Sequence, residues 1–393
     1  MNTTPAVLLG DLTLARPLGV AGIPVIVATS NPKDVTLRSR FVSDHILVRG
    51  FSKEQQADTV GALTTLGRRL GRRVPLVYGA DTHIDMLYRH RAALEERYLF
   101  ILNDEAVGAA MFDKEQFATF CDEHGVLAPA TVTPQPGDNL AETLARLRAP
   151  LIIKPRRKTA WKELQKALFD GVGKARIFDT REELLAHPGF QAFAHELLVQ
   201  EHLGSDACEV YSFHGFADAQ GRVLGSFCGR KIRTYPVIAG ESSCIEIIEH
   251  AEIDALGHDL AARLGLKGPF KFDLIRDERT GRFYTLEVNC RFTLWNYMGA
   301  AHGVNLPALA CQHLLTGESP AEVRPVPGRT ARWANIYGER QAFRELHAAG
   351  RLGWGEWLGQ IAVPGTLYEV FAWNDPMPAV AWWTQQVAQR FSR

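Results

Sequence analysis

Five short apolar runs divide the first part of the chain, and they constrain its fold more than any other feature. The runs are AVLLG, PVIVAT, HILV, VPLVYG and YLFIL, between residues 6 and 102. Continuous apolar runs bounded by turn residues are typical of parallel strands that are buried on both faces. The intervening segments have helical patterns, so this part predicts a βαβ series around a parallel sheet. No G-x-G-x-x-G follows the first run, which argues against a nicotinamide dehydrogenase.

A second feature is a pair of strand patterns with polar residues on one face. In RFYTLEVNCRF, the polar residues Glu287, Asn289 and Arg291 recur at every second position. In a strand, such residues share one face. Lys271 and Asp273 alternate in the same way in FKFDLIRD, and the ERTG between the two segments predicts a hairpin.

The predicted hairpin would gather two carboxylates and an amide oxygen at one place. Asp273 would lie beside Glu287 or Asn289 in the antiparallel pair. These are ligands that suit Mg²⁺, so the three residues are candidate metal ligands. Lys271 and Arg291 would add the positive charge that transfer of a phosphoryl group requires. The alternative is a surface hairpin whose polar face meets water.

The overall composition argues against several classes of partner. Lys and Arg total 44, as do Asp and Glu, so nothing predicts binding to nucleic acid or to an anionic membrane. The sequence shows no signal-peptide pattern, and no apolar run is long enough to span a bilayer. The six cysteines form no C-x-x-C pair. Scattered cysteines of this kind fit a reducing, cytoplasmic location.

The last 65 residues are rich in tryptophan. Six of the eight tryptophans lie there, at positions 333, 354, 357, 373, 382 and 383. Membrane contact is one interpretation, but the segment lacks the basic face that an interfacial helix needs. We therefore expect these aromatic side chains to pack on the main body or on a second subunit.

Four segments occur in the order found in a known superfamily. They are FDKEQF, PLIIKP, LLVQEHLG, and FKFDLI followed by LEVNCR. On these motifs the chain resembles the ATP-grasp superfamily, especially its carboxylate–amine ligase-like members, over roughly residues 1–318. The E-x-N-x-R pattern is similar to that of biotin carboxylase and carbamoyl phosphate synthetase, and the lysine positions to those of D-alanine–D-alanine ligase. Each motif is weak alone, but four in order form a specific signal.

The resemblance implies a nucleotide site. Two of the implied lysines would clamp phosphates as point charges, and an adenine slot would follow QEHL. Either Asp206 or Glu209 would hold the ribose hydroxyls. Lys231 and Arg233 alternate on one face of a long strand pattern, GRKIRTYP, and would reach phosphate or substrate, or merely coat the sheet edge. The implied nucleotide-binding residues are Lys114, Lys154, Gln200, Glu201, His202, Leu203, Asp206, Glu209 and Lys231.

One segment departs from the superfamily pattern. After Lys154 the expected phosphate loop is basic rather than rich in Gly and Ser. Side chains such as Arg156, Lys158 or Lys174 would then replace the backbone N–H groups that usually hold phosphate.

The resemblance also implies the architecture, of class α/β and α+β. Residues 1–112 would form a Rossmann-like pre-ATP-grasp domain. Residues 113–203 would form ATP-grasp subdomain A with the nucleotide lysines and the hinge. Residues 204–328 would form subdomain B with the metal and phosphate strands, and residues 329–393 a Trp-rich C-terminal extension.

The implied activity is ATP-dependent ligation of a small-molecule carboxylate to an amine through an acyl phosphate, with Mg²⁺ or possibly Mn²⁺. Lys271 and Arg291 would be catalytic, and Cys290 would be core. Alternatives are an ATP-dependent carboxylase or carbamoyl-type enzyme and a non-catalytic ATP-binding regulator. Asp81 could bind an amine at the sheet edge, although a helix cap is the favoured interpretation. A homodimer is expected from similar proteins.

Overall fold

The computed structural model describes residues 4–112, 114–156, 161–169, 175–204, 209–328 and 331–391. For residues 114–115, 161–163 and 391 it describes the backbone alone. Three β-sheets run through the described residues.

The first sheet is parallel, and its strand order is β3-β2-β1-β4-β5. Its strands are β1 (Ala6–Leu9), β2 (Val25–Thr29), β3 (Val42–Leu47), β4 (Val74–Tyr78) and β5 (Tyr98–Leu99). The connecting helices are α1 (Leu12–Val20), a 3₁₀ helix (Val35–Arg38), α2 (Gln56–Leu70), α3 (Asp81–Arg89) and α4 (Arg91–Glu95). The prediction of a buried parallel sheet is confirmed, since every residue of β1, β2 and β4 is buried.

The second sheet is antiparallel, with the order β6-β9-β7-β8. Its strands are β6 (Thr131–Val132), β7 (Leu151–Pro155), β8 (Arg176–Phe178) and β9 (Leu197–Glu201). The helices of this part are α5 (Glu105–Phe112), α6 (Lys114–Glu123), α7 (Leu140–Leu144), α8 (Trp161–Leu168), α9 (Arg181–Ala186), α10 (Pro188–Phe193) and a 3₁₀ helix (Ala194–Glu196). The sheet shares one apolar core with α7 to α10 and the 3₁₀ helix, whereas α5 and α6 pack on a core of the third sheet.

The third sheet has the order β14-β13-β10-β11-β12-β15-β16. Its strands are β10 (Val210–Ala217), β11 (Val223–Tyr235), β12 (Glu241–Ile248), β13 (Gly268–Arg276), β14 (Phe283–Asn289), β15 (Arg332–Ala334) and β16 (Leu367–Tyr368). The last helices are α11 (Ala251–Arg263), α12 (Asn296–Ala301), α13 (Leu306–Thr316), α14 (Ile336–Ala348), α15 (Trp354–Ile361) and α16 (Met377–Phe391). Among the described helices, none is long and apolar enough to cross a membrane.

The division of the chain into four ranges stays a prediction, and the sheets show how the last range is attached. β15 and β16 belong to the Trp-rich range, yet they extend the third sheet. Trp333 on β15 also enters a core that joins β1 and β2 to the third sheet. The Trp-rich range is therefore packed into the main body along part of its length.

The tryptophans of this range divide into two groups. Trp333 and Trp357 are buried, as expected for side chains that pack on the main body. Trp354, Trp373 and Trp383 are exposed. For these three, the described residues do not supply the predicted packing against the main body.

Two buried ion pairs fix the Trp-rich range in place. Asp375 accepts from Arg16 Nε of α1 at 3.1 Å and from the Ser39 hydroxyl at 2.8 Å. Glu339 of α14 accepts from Arg233 of β11, with N–O distances between 2.9 and 3.2 Å. Removing one partner of a buried pair leaves an uncompensated charge, so these contacts hold the range firmly.

Candidate active site

The hairpin predicted from the polar strand pattern is present. β13 and β14 pair antiparallel, with Lys271 opposite Asn289 and Asp273 opposite Glu287. Residues opposite each other in such a pair lie on the same face. A β-bulge follows the Asp273 pair and leaves Leu286 as the extra residue on β14. The hairpin therefore brings the two predicted carboxylates side by side.

Asp273 lies between two lysines. Its Oδ2 is 2.7 Å from Nζ of Lys271 and 3.2 Å from Nζ of Lys231. Its Oδ1 is buried and has no hydrogen-bond partner among the described residues. Burial alone would raise the pKa of Asp273, but the two ammonium groups outweigh it and hold that pKa below its ordinary value. The carboxylate is thus ionised, and one of its oxygens has no donor among the described residues.

Lys271 is almost fully buried, which is unusual for a lysine. Burial and the nearby Lys231 ammonium lower the pKa of Lys271, while Asp273 opposes the shift. Two lysines share one oxygen of Asp273, and the exposed Glu287 lies opposite that carboxylate. The two ammonium groups can also pair with an anionic ligand.

Two further polar residues on this face were missed by the sequence analysis. Ser212 and His214 on β10 lie opposite Asp273 and Lys271, and both are buried. The Ser212 hydroxyl is 3.1 Å from Nε2 of His214. Burial and the Lys271 charge lower the pKa of His214, so the ring is neutral. The signal was present in VYSFHGF, where these residues alternate with apolar ones.

Arg291 lies just beyond the end of β14, so the prediction that it shares the strand face is wrong. Beyond the strand, Arg291 is bonded to residues that directly follow β4 of the first sheet. Its Nε donates to Oδ1 of Asp81 at 2.6 Å, and Nη1 donates to the Gly79 carbonyl at 3.5 Å. Its Nη2 donates to Oδ1 of Asn289 at 2.9 Å. The guanidinium therefore joins the carboxyl edge of β4 to the polar hairpin.

The favoured interpretation of Asp81 as a helix cap is also wrong. The N-cap of α3 is Ala80, and Asp81 is the first helical residue, with its carboxylate on Arg291. His83, two residues further, is buried, and its Nδ1 has no hydrogen-bond partner among the described residues. Burial, and then the charge of Arg291, lowers the pKa of His83 to about 4. The edge of β4 thus presents an ion pair beside a neutral imidazole.

The predicted nucleotide residues of the second sheet form their own cluster. Nζ of Lys154 donates to Oε1 of Gln200 at 2.9 Å, and Nε2 of Gln200 donates to the Thr131 hydroxyl at 2.9 Å. Lys154 lies in a strand of otherwise buried residues, where an ammonium needs compensating partners. Gln200 provides one such partner and orients the ammonium.

The hinge segment is held by backbone contacts. The N–H groups of Glu201 and His202 donate to the carbonyls of Ala130 and Pro150, at 2.9 and 2.8 Å. Leu203 follows them and is buried. An adenine ring at this hinge would therefore hydrogen-bond to the backbone carbonyls of the hinge or to the N–H of Leu203. The N–H groups of Glu201 and His202 are already engaged.

The carboxylate of Glu201 faces the chain itself. Its Oε1 accepts from the Arg148 N–H at 2.9 Å. This contact is consistent with a structural acid at the strand end, while the backbone of the residue remains in the hinge.

The fold does not bring the carboxylate of Glu209 to the sheet face that carries Lys231 and Asp273. Its two carboxylate oxygens accept from Arg230 and from the Tyr211 hydroxyl. Tyr211 and Arg230 are paired residues on the sheet face opposite to that of Lys231. The carboxylate is therefore taken up by local partners, which argues against Glu209 as the ribose acid. The other candidate, Asp206, lies outside the described residues.

Other predicted residues are described only in part by the structure, or not at all. The backbone of Lys114 begins α6, but its side chain is not described. Lys158 and Lys174 of the basic segment are outside the described residues, and Arg156 directly follows β7. Arg233, which sequence alternation placed beside Lys231, is instead bonded to Glu339, since a register shift in β11 separates the two.

The donor set fits Mg²⁺ that is shared with a ligand, rather than an all-protein metal site. Among the described residues, no group of three or more His, Cys, Asp and Glu side chains could hold a metal ion. The buried open oxygen of Asp273 and the adjacent Glu287 and Asn289 offer a few oxygen ligands. Mg²⁺ commonly completes such a partial set with phosphate oxygens and water.

No protein-family model and no curated protein sequence matches the chain. Solved structures do match it at the level of fold. L-amino acid ligase from Bacillus licheniformis aligns with TM-score 0.59 and 16% identity, over 84% of this chain and 79% of its own. N5-carboxyaminoimidazole synthetase from Staphylococcus aureus, in its complex with ADP, aligns with TM-score 0.63 and 13% identity, over 89% and 86%.

A third match is the biotin carboxylase domain dimer of Hydrogenobacter thermophilus 2-oxoglutarate carboxylase, in complex with MgADP and bicarbonate. It aligns with TM-score 0.58 and 15% identity, over 81% of this chain and 70% of its own. These likenesses agree with the resemblance to the ATP-grasp superfamily. The fold of this chain is that of the ATP-grasp ligases.

Proposed function

We propose that the protein is an ATP-dependent ligase that joins a carboxylate to an amine and releases ADP and phosphate. The observation that carries the proposal is Asp273, which is buried between Lys231 and Lys271 and keeps Oδ1 without a partner among the described residues. A buried carboxylate oxygen without a partner, beside two ammonium groups, suits a metal ion with phosphate better than any apolar or neutral ligand.

The proposed reaction has two steps. A carboxylate oxygen of the first substrate attacks the γ-phosphorus, and the bond to the β-phosphate oxygen breaks, giving an acyl phosphate and ADP. The lone pair of the amine then attacks the acyl carbon, phosphate leaves, and the amine loses one proton to solvent. No covalent link to the protein is needed.

The residues of the third sheet would handle the phosphates. Lys231 and Lys271 would pair with phosphate oxygens as charge builds on them. Asp273, Glu287 and Asn289 would hold Mg²⁺, which when bound would neutralise the oxygens of the β- and γ-phosphates.

The second sheet would hold the rest of the nucleotide. Lys154, oriented by Gln200, would contact phosphate, as would Lys114. The backbone from Glu201 to Leu203 would line the adenine. The division of the chain at residues 112, 203 and 328 belongs to this proposal.

Arg291 would bind the carboxylate substrate or the acyl phosphate. Its planar fork suits both, because each offers paired oxygens. Its bond to Asp81 at the carboxyl edge of β4 supports this role, since ligands of open α/β sheets gather at that edge. Acceptor specificity would then come from the loops after β4 and after Arg291.

The test is Mg²⁺-dependent release of ADP and phosphate in the presence of pooled amino acids, dipeptides and bicarbonate. We expect release that requires both a carboxylate and an amine, with a product whose mass is the sum of the two substrates less water. ATP binding without release from any pool would contradict the proposal and indicate a nucleotide-binding regulator.

A carboxylase is the second candidate. A matching solved structure carries bicarbonate together with MgADP. Release of ADP that depends on bicarbonate, and not on an added carboxylate–amine pair, would replace the ligase proposal with this one. Omitting bicarbonate from one arm of the assay separates the two.

A further inference from the structure

The C-terminal helix α16 presents an apolar face to solvent. Met377, Val380, Trp383 and Val387 recur at helical spacing and are all exposed. Trp373, just before the helix, is 90% exposed. Large exposed apolar side chains that are grouped on one face mark a candidate interaction site.

This face is held in a fixed orientation. The opposite side of α16 packs on the 3₁₀ helix Val35–Arg38, and Gln385 donates to the Lys33 carbonyl at 2.8 Å. The residue pair Asp375 and Arg16 anchors the segment that leads into the helix. The body of the protein therefore leaves the apolar side uncovered.

Basic residues from a distant part of the sequence lie beside α16 and make up its basic border. Lys33, Arg38 and Arg40 are exposed in the segment on which α16 packs, and Nη1 of Arg40 donates to the carbonyl of Asn374 at 3.4 Å. Arg390 adds a cation at the end of the helix.

These two segments contain two acids, and four basic residues outnumber the one, Asp34, that no cation among the described residues neutralises. Asp34 accepts from Thr29 and from the Thr36 N–H, and Asp375 is buried against Arg16. The border is thus locally cationic, although the whole chain has no net charge.

We propose that α16, Trp373 and residues 33–40 form a peripheral docking surface for a bilayer that contains anionic phospholipid. The apolar side chains would enter the headgroup region, where tryptophan is favoured, and the basic border would meet the lipid phosphates. Judged from its own sequence, the helix lacks a basic face. The fold supplies that charge from the N-terminal sheet.

A second copy of the chain fits this docking surface less well than an anionic bilayer does. In a two-fold interface the same patch meets itself, so the basic border would face an identical basic border. Like charges at close range disfavour that arrangement, whereas an anionic surface neutralises them.

The test is co-sedimentation of the full chain with vesicles of phosphatidylcholine and phosphatidylglycerol, against vesicles of phosphatidylcholine alone. We expect binding that is strong on the mixed vesicles, weak on the neutral ones and reduced by salt. The double variant Trp373→Ala/Trp383→Ala should lower the bound-to-free ratio by about tenfold or more. Lys33→Gln/Arg38→Gln should lower this ratio by a similar factor, since each lysine or arginine near an anionic surface contributes separately to the binding free energy.

The matched control is Trp354→Ala, another exposed tryptophan, on α15. It should leave vesicle binding unchanged. Both double variants should keep the wild-type thermal unfolding midpoint and ATP turnover, because none of their positions belongs to the proposed site. Equal binding by wild type and the tryptophan variant would overturn the proposal. So would a concentration-dependent dimer, without vesicle binding, that the tryptophan variant abolishes.

Discussion

Arg291 and Asp81 are 210 positions apart in the chain, yet Nε of the one donates to Oδ1 of the other at 2.6 Å. The bond joins the carboxyl edge of the first sheet to the end of the polar hairpin. Asp81 thereby fixes the guanidinium, and Nη2 remains on Asn289. A residue that touches both parts of the proposed site should control how the carboxylate substrate is placed.

Arg291→Lys tests this placement. Lysine keeps the charge but loses the fork that reaches Asp81, Asn289 and the Gly79 carbonyl. We expect kcat/KM for the carboxylate substrate to fall by about 100-fold, with ATP affinity nearly unchanged. Steady-state kinetics with each substrate varied in turn would measure both.

The control for this variant is Arg279→Lys at the turn of the same hairpin, where the arginine is bonded to Asp277. It should behave like wild type. If Arg291→Lys retained full kcat/KM, the guanidinium would be a structural link between the sheets and not a substrate ligand.

Glu287→Gln tests the metal assignment. Glu287 is exposed and lies opposite Asp273, so the change keeps the shape and should not disturb folding. An amide is a weaker ligand for Mg²⁺ than a carboxylate. ATP turnover should fall by about 1,000-fold, and the thermal unfolding midpoint should stay within error.

Glu252→Gln on the exposed first turn of α11 is the matched control for the Glu287 change. Turnover close to wild type in Glu287→Gln, at saturating Mg²⁺, would remove this carboxylate from the metal site.

The hairpin could be predicted from the sequence because its information is local. Alternation fixes the face of each residue, and a four-residue connection fixes the pairing, so the proximity of Asp273 and Glu287 follows. Arg291 and Glu209 could not be placed in this way. Their positions depend on Asp81 and Arg230, partners that only the assembled fold brings close.

The same limit applies to charge patterns. The last helix has an apolar side that the sequence shows, but its basic border comes from residues 33–40. Alternation of Lys231 and Arg233 also misled, because a register shift in β11 sends Arg233 to a buried pair with Glu339. Sequence reasoning thus succeeds for the β13–β14 hairpin, and it fails at the register shift in β11 and where distant segments meet.

Lys154→Ala tests the phosphate site on the second sheet. Lys154 is oriented by Gln200, and loss of one charged contact to phosphate typically costs about 2–3 kcal/mol. The Kd for ATP, measured by calorimetry with Mg²⁺, should therefore rise by roughly 30- to 100-fold. Lys166→Ala on the exposed side of α8 is the control and should not change the Kd. An unchanged Kd for Lys154→Ala would mean that phosphate binds elsewhere.

Glu369, just after β16, should make stability depend on pH. Burial, and then the nearby carboxylates of Asp11 and Glu241, raises the pKa of Glu369 to about 7, with Arg16 opposing the shift. The folded state therefore holds this proton more tightly than the unfolded state does. Its stabilising effect is complete below the unfolded pKa of about 4.5 and is lost as the pH rises towards 7.

Glu369→Gln should abolish that dependence, because an amide stays neutral. At about pH 5 the variant and the wild type should have similar free energies of unfolding. At about pH 8 the variant should be more stable by roughly 1–3 kcal/mol, since it lacks the charge that the fold disfavours. Urea unfolding at the two pH values, with Glu356→Gln on α15 as the exposed control, gives the comparison. Equal differences between variant and wild type at both pH values would show that Glu369 titrates normally and that the three carboxylates do not interact.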